Sequence, residues 1–323
     1  MASITRRAAV VLGTVGLATP ALAQSWPARP VRIVAPAPAG GASDIYARIC
    51  AQRMSEMTGK PFVVENRAGA AGRIGLENVV RSAPDGYSLL LGSSAIALAK
   101  ALYPNLGYDP VGDLTPISLM ARTQQMMVVP AALPVTDVRS FIDYAKARPG
   151  QLAFASSGVG NPPHLAAELF NAMAGLTMTH VPYGGDTPAL VDIIAGRVQM
   201  YFGSVAPALP HREAGRIRAL AVTGPTRAGS APDVPTMEEA GLPGYNVSGW
   251  FGLLAPRGTP RDIILQLNDM MTRIMAVEEV RTTLERGGAD PADPALPVME
   301  RAIVDSTRLI NEAVRIANIR VED

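Results

Sequence analysis

One cysteine, three lysines, three histidines and an aromatic content of only 5% are all that this 323-residue chain carries of several chemically telling residue types. The lone Cys50 excludes an intramolecular disulfide and lies too far from the N-terminus to be a lipid anchor, so it reads as a buried structural thiol. His164, His180 and His211 are too scattered for a zinc site. No lysine stands in a Gly-Lys-Ser or Gly-Lys-Thr setting, which excludes a P-loop. Gly-x-Ser-x-Gly is missing, and Gly158-Val159-Gly160 finds no third glycine for a dinucleotide fingerprint. Basic and acidic residues balance at 29 against 28, so neither nucleic acid nor an anionic membrane surface is implied. The same motifs leave no expectation of a cofactor or a metal.

What the chain does have begins at its first residues. Arg6-Arg7, an apolar stretch from Ala8 to Ala18 and Ala21-Leu22-Ala23 form an export signal, too short for a membrane span, with cleavage expected after Ala23. The arginine pair leaves the export route open. Residues 1-23 removed, the net charge becomes −1, because Lys+Arg falls from 29 to 27. No later run of 18 apolar residues follows, which predicts a soluble exported protein in the periplasm. A 48% apolar content and roughly 300 remaining residues support two cores.

Short buried strands are expected at Val31 to Ala35, Phe62 to Glu65, Tyr87 to Leu91, Leu152 to Ala155, Met178 to Val181, Val198 to Phe202, Ile217 to Val222 and Trp250 to Ala255. Helices end in glycine at 44-58, 163-174 and 188-195, and long ones are expected at 260-286 and 295-318. Alternation of this kind predicts an α/β chain with mostly parallel sheets flanked by helices. Ile117 to Val129 runs strand-like on both sides of Arg122-Thr123-Gln124-Gln125, and Ala240 to Tyr245 leads back into a strand. If the chain leaves at about 123 and returns at about 240, residues 24-123 with 241-323 form one domain and 124-240 a second, with a cleft between them.

Three glycine-rich segments each join a strand to a helix. The first is Pro36-Ala37-Pro38-Ala39-Gly40-Gly41-Ala42-Ser43-Asp44, with Ser43 or Asp44 as the N-cap. The second runs from Ser156-Ser157-Gly158 to Asn161, the expected N-cap, followed by Pro162-Pro163-His164. In the third, Tyr183-Gly184-Gly185-Asp186-Thr187-Pro188, Asp186 or Thr187 caps and Pro188 takes the first helical position. Gly92-Ser93-Ser94 adds hydroxyls on the first-domain side. Each segment alone is an ordinary turn; repeated at the carboxyl ends of strands in two domains, they form an anion site without a cation, suited to a carboxylate. A Ser156 and His164 nucleophilic pair is the enzymatic alternative, with no orienting carboxylate in the sequence. His180 reads as a core histidine.

Arg29-Pro30-Val31-Arg32-Ile33-Val34, the first glycine segment, Val64 to Gly69, Ala83-Pro84-Asp85-Gly86-Tyr87, Tyr108-Asp109-Pro110, Ser156-Ser157-Gly158, His180-Val181-Pro182-Tyr183 and Pro232 to Thr236 follow one another in an order that resembles the Bug family, the periplasmic solute-binding proteins of tripartite tricarboxylate transporters. The resemblance spans nearly the whole mature chain. It implies a two-domain type II periplasmic binding fold that closes on a small organic acid and docks on integral-membrane transporter subunits, as a monomer without enzymatic activity. A ligand-sensing receptor serving a signalling partner would need the same fold. Carried onto this sequence, the resemblance gives Ala39, Gly40, Gly41, Ser93, Ser94, Ser156, Ser157, Tyr183, Gly185, Asp186 and Thr187 as ligand-binding residues, beside Asn161 from the helix start. Gly184 stands where the family often has Lys or Arg, and Gly203 where Asp is frequent. The missing acid argues against an amino-acid ligand.

Overall fold

A computed structural model describes residues 26-103 and 105-317, so the expected signal segment lies outside the described residues. A single mixed sheet of ten strands forms the frame, in the order β2-β1-β3-β9-β4-β7-β5-β6, with β8 and β10 also paired to β4. The first half holds β1 (Val31–Ala35), β2 (Phe62–Asn66), β3 (Ser88–Ser93), β9 (Ser248–Pro256) and β10 (Ala289–Pro291). The second holds β5 (Ala153–Ser156), β6 (Thr179–Pro182), β7 (Met200–Ser204) and β8 (Ile217–Val222). β4 (Leu114–Pro130) belongs to both, pairing with β9 from Leu114 to Gln124 and with β7 and β8 from Gln125 onward.

The α/β class and the flanking helices agree with the sequence, but the pairing is mixed. β1 runs parallel to β2 and β3, and β5 to β6 and β7; every pairing of β4, and that of β3 with β9, is antiparallel. A chain that returns from the second half re-enters the sheet beside its own outgoing strand, and such a neighbour is antiparallel by construction.

Apolar spacing sets the helices. α1 (Ala42–Thr58) turns Tyr46, Ala47, Cys50, Ala51 and Met54 inward and ends at Gly59, whose φ of 66° suits a glycine cap. Cys50 is fully buried, with Met271 Sδ 3.7 Å from its sulfur, and burial pushes its thiol up to about 12. The expected helix at 260-286 is two, α8 (Arg261–Met275) and α9 (Glu278–Arg286), broken at Ala276 and Val277 so that Val280 and Leu284 turn onto the same core. The remaining helices are α2 (Arg73–Val80), α3 (Ala95–Leu102), α4 (Val138–Lys146), α5 (Pro162–Ala174), α6 (Asp186–Ile194), α7 (Val205–Glu213) and α10 (Leu296–Ala317).

Helix α10 packs on both halves. Met299, Ala302 and Ile303 join a cluster with Leu90, Leu119 and Trp250, while Ile310 and Ala313 join Leu165, Phe170 and Phe202. Tyr245 and Val247 belong to that second cluster as well. The Val247 amide still bonds to Thr223 O at 2.9 Å before β9 begins at Ser248.

Candidate ligand-binding site

Five helices start at the carboxyl ends of strands: α1 after β1, α3 after β3, α5 after β5, α6 after β6 and α7 after β7. Strand register brings these starts to one level. Ser93 at the end of β3 pairs with Phe251, which pairs with Ala121, and Ser204 at the end of β7 pairs with Gln125. The two sets of loops therefore flank residues 121-125, where β4 passes from one half to the other.

At the first start the N-cap is Gly41 rather than Ser43 or Asp44. Gly40 has φ of 84°, and its amide donates to Asp44 Oδ2 at 2.8 Å, while the Gly41 amide donates to Pro38 O at 3.3 Å. Asp44 also accepts from Arg48 Nε at 3.0 Å and from Asn66 Nδ2 at 2.9 Å. Arg48 and the Gly40 amide hold its carboxyl down at about 2. The Gly40 and Gly41 amides, expected to face a ligand, are thus engaged within the turn. The donors left at this end are the Ala42, Ser43 and Asp44 amides, which have no intrahelical acceptor.

In the second half Ser156 is fully buried, with Oγ 2.7 Å from His180 Nε2 and 3.0 Å from Gly158 O. The His180 ring stacks between Phe154 at 4.8 Å and His164 at 4.2 Å, centroid to centroid. Burial holds its pKa down at about 4, so the ring is neutral at neutral pH. His164 Nδ1 accepts from the Gly160 amide at 3.2 Å, and its Nε2 lies 3.5 Å from Glu168. The Ser156 and His164 nucleophilic pair does not form, since the serine's partner is His180 and its hydroxyl is closed off from substrate.

Asn161 caps α5 as expected, accepting from the His164 amide at 3.1 Å and donating to Ser157 Oγ at 2.9 Å. At α6 the cap is Gly185, with φ of 136°, rather than Asp186 or Thr187, and Pro188 stands at the third helical position. The Tyr183 hydroxyl donates to Asp192 at 2.7 Å, and Asp186 accepts from the Tyr201 hydroxyl. Thr187 and Gly184 are exposed, and Gly184 has open space around it. Tyr201, which holds Asp186, and Arg73, which lines two cavities beside these helix starts, were not singled out from the sequence. A Cβ on Gly203 would lie 2.5 Å from the Tyr201 ring, so the tyrosine takes the space of the side chain that Gly203 lacks.

Two adjoining cavities open beside these starts. One of about 70 Å³ is lined by Ser43, Ser93 and Gly92 with Ala71 and Arg73. Another of about 220 Å³ reaches from Ala71, Arg73 and α3 to Gly160, Asn161 and Pro162, and so spans both halves. They share Ala71, Arg73, Ala95 and Ala99. Ser94 lines a third cavity of about 30 Å³ beside Thr123, Gln125 and Pro162, where, among the described residues, Asn246 Oδ1 is buried without a partner. Ala39 to Gly41 and Tyr183 to Thr187 line none of the three. Among the described residues, no three His, Cys, Asp or Glu side chains gather as a metal site, and no helix is long and apolar enough to cross a membrane.

A sheet curled around one long shared strand, with helix starts aimed at the crossing, defines a two-lobed binding protein of the periplasmic type. Residues 46-317 match the model of the tripartite tricarboxylate transporter family receptor, and the chain belongs to that family. It is 37% identical over 294 residues to protein BugT of Bordetella pertussis, covering 90% of each chain. It is 40% identical over 276 residues to a protein of Pseudomonas sp. strain P51 encoded between tcbD and tcbE, covering 85% of this chain and 82% of that one. Among solved structures, Rpa4515 of R. palustris with adipate superposes with a TM-score of 0.79 at 37% identity, covering 91% of this chain and 99% of that one. MatC of Rhodopseudomonas palustris with bound malate gives 0.76 at 32%, covering 90% and 100%. The periplasmic binding protein BugD gives 0.76 at 29%, covering 92% and 100%. The protein is thus a solute-binding receptor of the periplasm and not an enzyme.

Proposed function

We propose that this receptor captures a small organic acid between its two halves and delivers it to the membrane subunits of a tripartite tricarboxylate transporter. The observation that carries the reading is the meeting of helix starts from both halves beside a cavity that spans them. Each start favours an anion by roughly 0.3 to 2 kcal/mol, and together with hydrogen bonds they could supply the roughly 8 kcal/mol of micromolar binding. Adipate and malate in the related structures support a carboxylate.

The ligand-contacting set proposed here is Ala42, Ser43 and Asp44 through their amides, with Ser93 and Asn161 on the cavity walls, and with Ser157, Gly185 and Thr187, which line none of the three cavities, brought in as the halves close. Ser156 acts by fixing its loop. The proposed lobes are residues 24-123 with 248-323, and 124-247. The return point is proposed after Val247 rather than at about 240, since the Val247 amide still bonds to Thr223 O. Export through cleavage after Ala23 and a monomeric state complete the proposal.

Thermal melting with a panel of mono-, di- and tricarboxylates tests it. An acid at 100 times its dissociation constant should add about 2.7 kcal/mol of stability. EDTA should change nothing, and nucleotides should not compete. No shift with any acid at millimolar concentration would overturn the reading.

A further inference from the structure

We propose that the acid this receptor takes has an apolar, uncharged body, which lies in the cavity spanning the two halves while its single carboxylate sits at the Ser43 and Ser93 end beside Arg73. The inference rests on the receptor reading above and specifies the class of acid.

Charge distribution along the two joined cavities is the first support. Among the described residues, Arg73 is the only charged side chain on the walls of either, and it lines both. Its guanidinium lies 3.7 Å over the Tyr103 ring, its Nε donates to Ala70 O at 3.1 Å, and among the described residues it has no carboxylate within ion-pair distance. One cation without an anion matches one carboxylate.

Beyond Arg73 the larger cavity is walled by Leu98, Ala99, Leu102, Tyr103 and Pro162. The polar side chain at its far end, Asn161, already donates to Ser157 and accepts from the His164 amide. A second carboxylate placed there would lose its water and meet no free cation, whereas a ring or alkyl chain would gain from the same walls.

The backbone beside Arg73 is the second support. Gly69, Ala70, Ala71 and Gly72 all have positive φ, at 119°, 47°, 54° and 89°, and Ala70 and Ala71 are the two non-glycine residues in that region among the described residues. Left-handed alanines are disfavoured, and such strain persists where the surroundings fix it, often at ligand sites. Here the turn supplies both a wall, Ala71, and the carbonyl of Ala70 that orients the guanidinium.

Isothermal titration of the purified receptor with hexanoate, 3-phenylpropionate, adipate and malate tests the proposal. At least one of the first two should bind about tenfold tighter than malate, and adipate should bind no tighter than hexanoate. Leu102→Asn should weaken the apolar acids about tenfold more than it weakens malate. Arg73→Met should weaken every acid by about tenfold, with Arg73→Lys restoring part of the loss, and circular dichroism reports whether each variant is folded. Adipate or malate binding tighter than both apolar acids would overturn the inference and leave the receptor reading standing, as would apolar-acid affinities indifferent to Leu102→Asn in a folded protein. If none of the four acids binds, the inference falls, and the receptor reading falls with it only when the wider panel of mono-, di- and tricarboxylates also gives no thermal shift.

Discussion

Gly40 and Gly41 adjoin in sequence yet differ in what they require of their side chains. Gly40 sits at φ of 84° with no atom within 4 Å of a built Cβ, so alanine there meets no clash but must adopt a left-handed backbone. Gly41 is extended at φ of −78°, and its Cβ would touch only Pro38 O at 3.4 Å and Ala37 Cβ at 4.0 Å. Gly40→Ala should therefore cost about 1 kcal/mol in denaturant unfolding and weaken acid binding severalfold, because it disturbs the hydrogen bond to Asp44 that fixes the start of α1. Gly41→Ala should change both by little. Equal effects from the two would show that backbone conformation at this turn is not what matters. The pair also shows how a site can be half legible. Glycine beside an acid signals a helix start, but which amides turn outward depends on where Asp44 places its carboxylate, and that is settled by Arg48 and Asn66.

The β5, β6 and α5 unit carries a pH dependence of its own. His180 titrates at about 4 in the folded protein against an ordinary value of 6.5, so between those values the unfolded chain binds more protons. Its contribution is fully present above about 6.5 and is lost as the pH falls through about 4. Melting temperature should decline across that window, and His180→Phe should flatten the decline while keeping the stack with Phe154. An unchanged slope in the variant would assign the effect to other groups. Sequence alone read His180 as a core histidine because it lies in a strand run, and its partner Ser156 as a ligand residue because it lies in a glycine loop. Strand ends and caps were legible at Asn161 and Gly59, where local chemistry decides them. The break between α8 and α9 was not, since Ala276 and Val277 carry no helix-stop signal and the turn follows from what Val280 and Leu284 must cover.

At the scale of the molecule, Asp290 ties the lobes from the far side of β4. It accepts from the Gly229 amide at 3.0 Å and lies 3.4 Å from Gln124 Nε2, while Gln124 Oε1 accepts from the Gly224 amide at 3.0 Å. Asp290→Ala should raise the radius of gyration of the unliganded protein in small-angle X-ray scattering and weaken acid binding a few-fold. If neither moves, the tie does not govern closure. The long strand shared by both halves of the sheet was legible from the apolar run through Arg122. The mixed pairing was not, because a strand's direction relative to its neighbours leaves no mark in its own residues.

One half of the sheet draws its strands from both ends of the chain and the other from a contiguous middle. As the polypeptide leaves the ribosome, or re-emerges on the far side of a membrane, β1, β2 and β3 wait beside an empty place until Ser248 to Pro256 arrives more than 150 residues later. Strands with such distant partners form late, since a long loop must close before any contact rewards it. The middle lobe has its own strands and apolar cluster by the time Val247 appears. Pulse-labelled hydrogen exchange during refolding should find amides of β5 to β8 protected before those of β1 to β3. The half that first meets the outside is, on this account, the last to become itself.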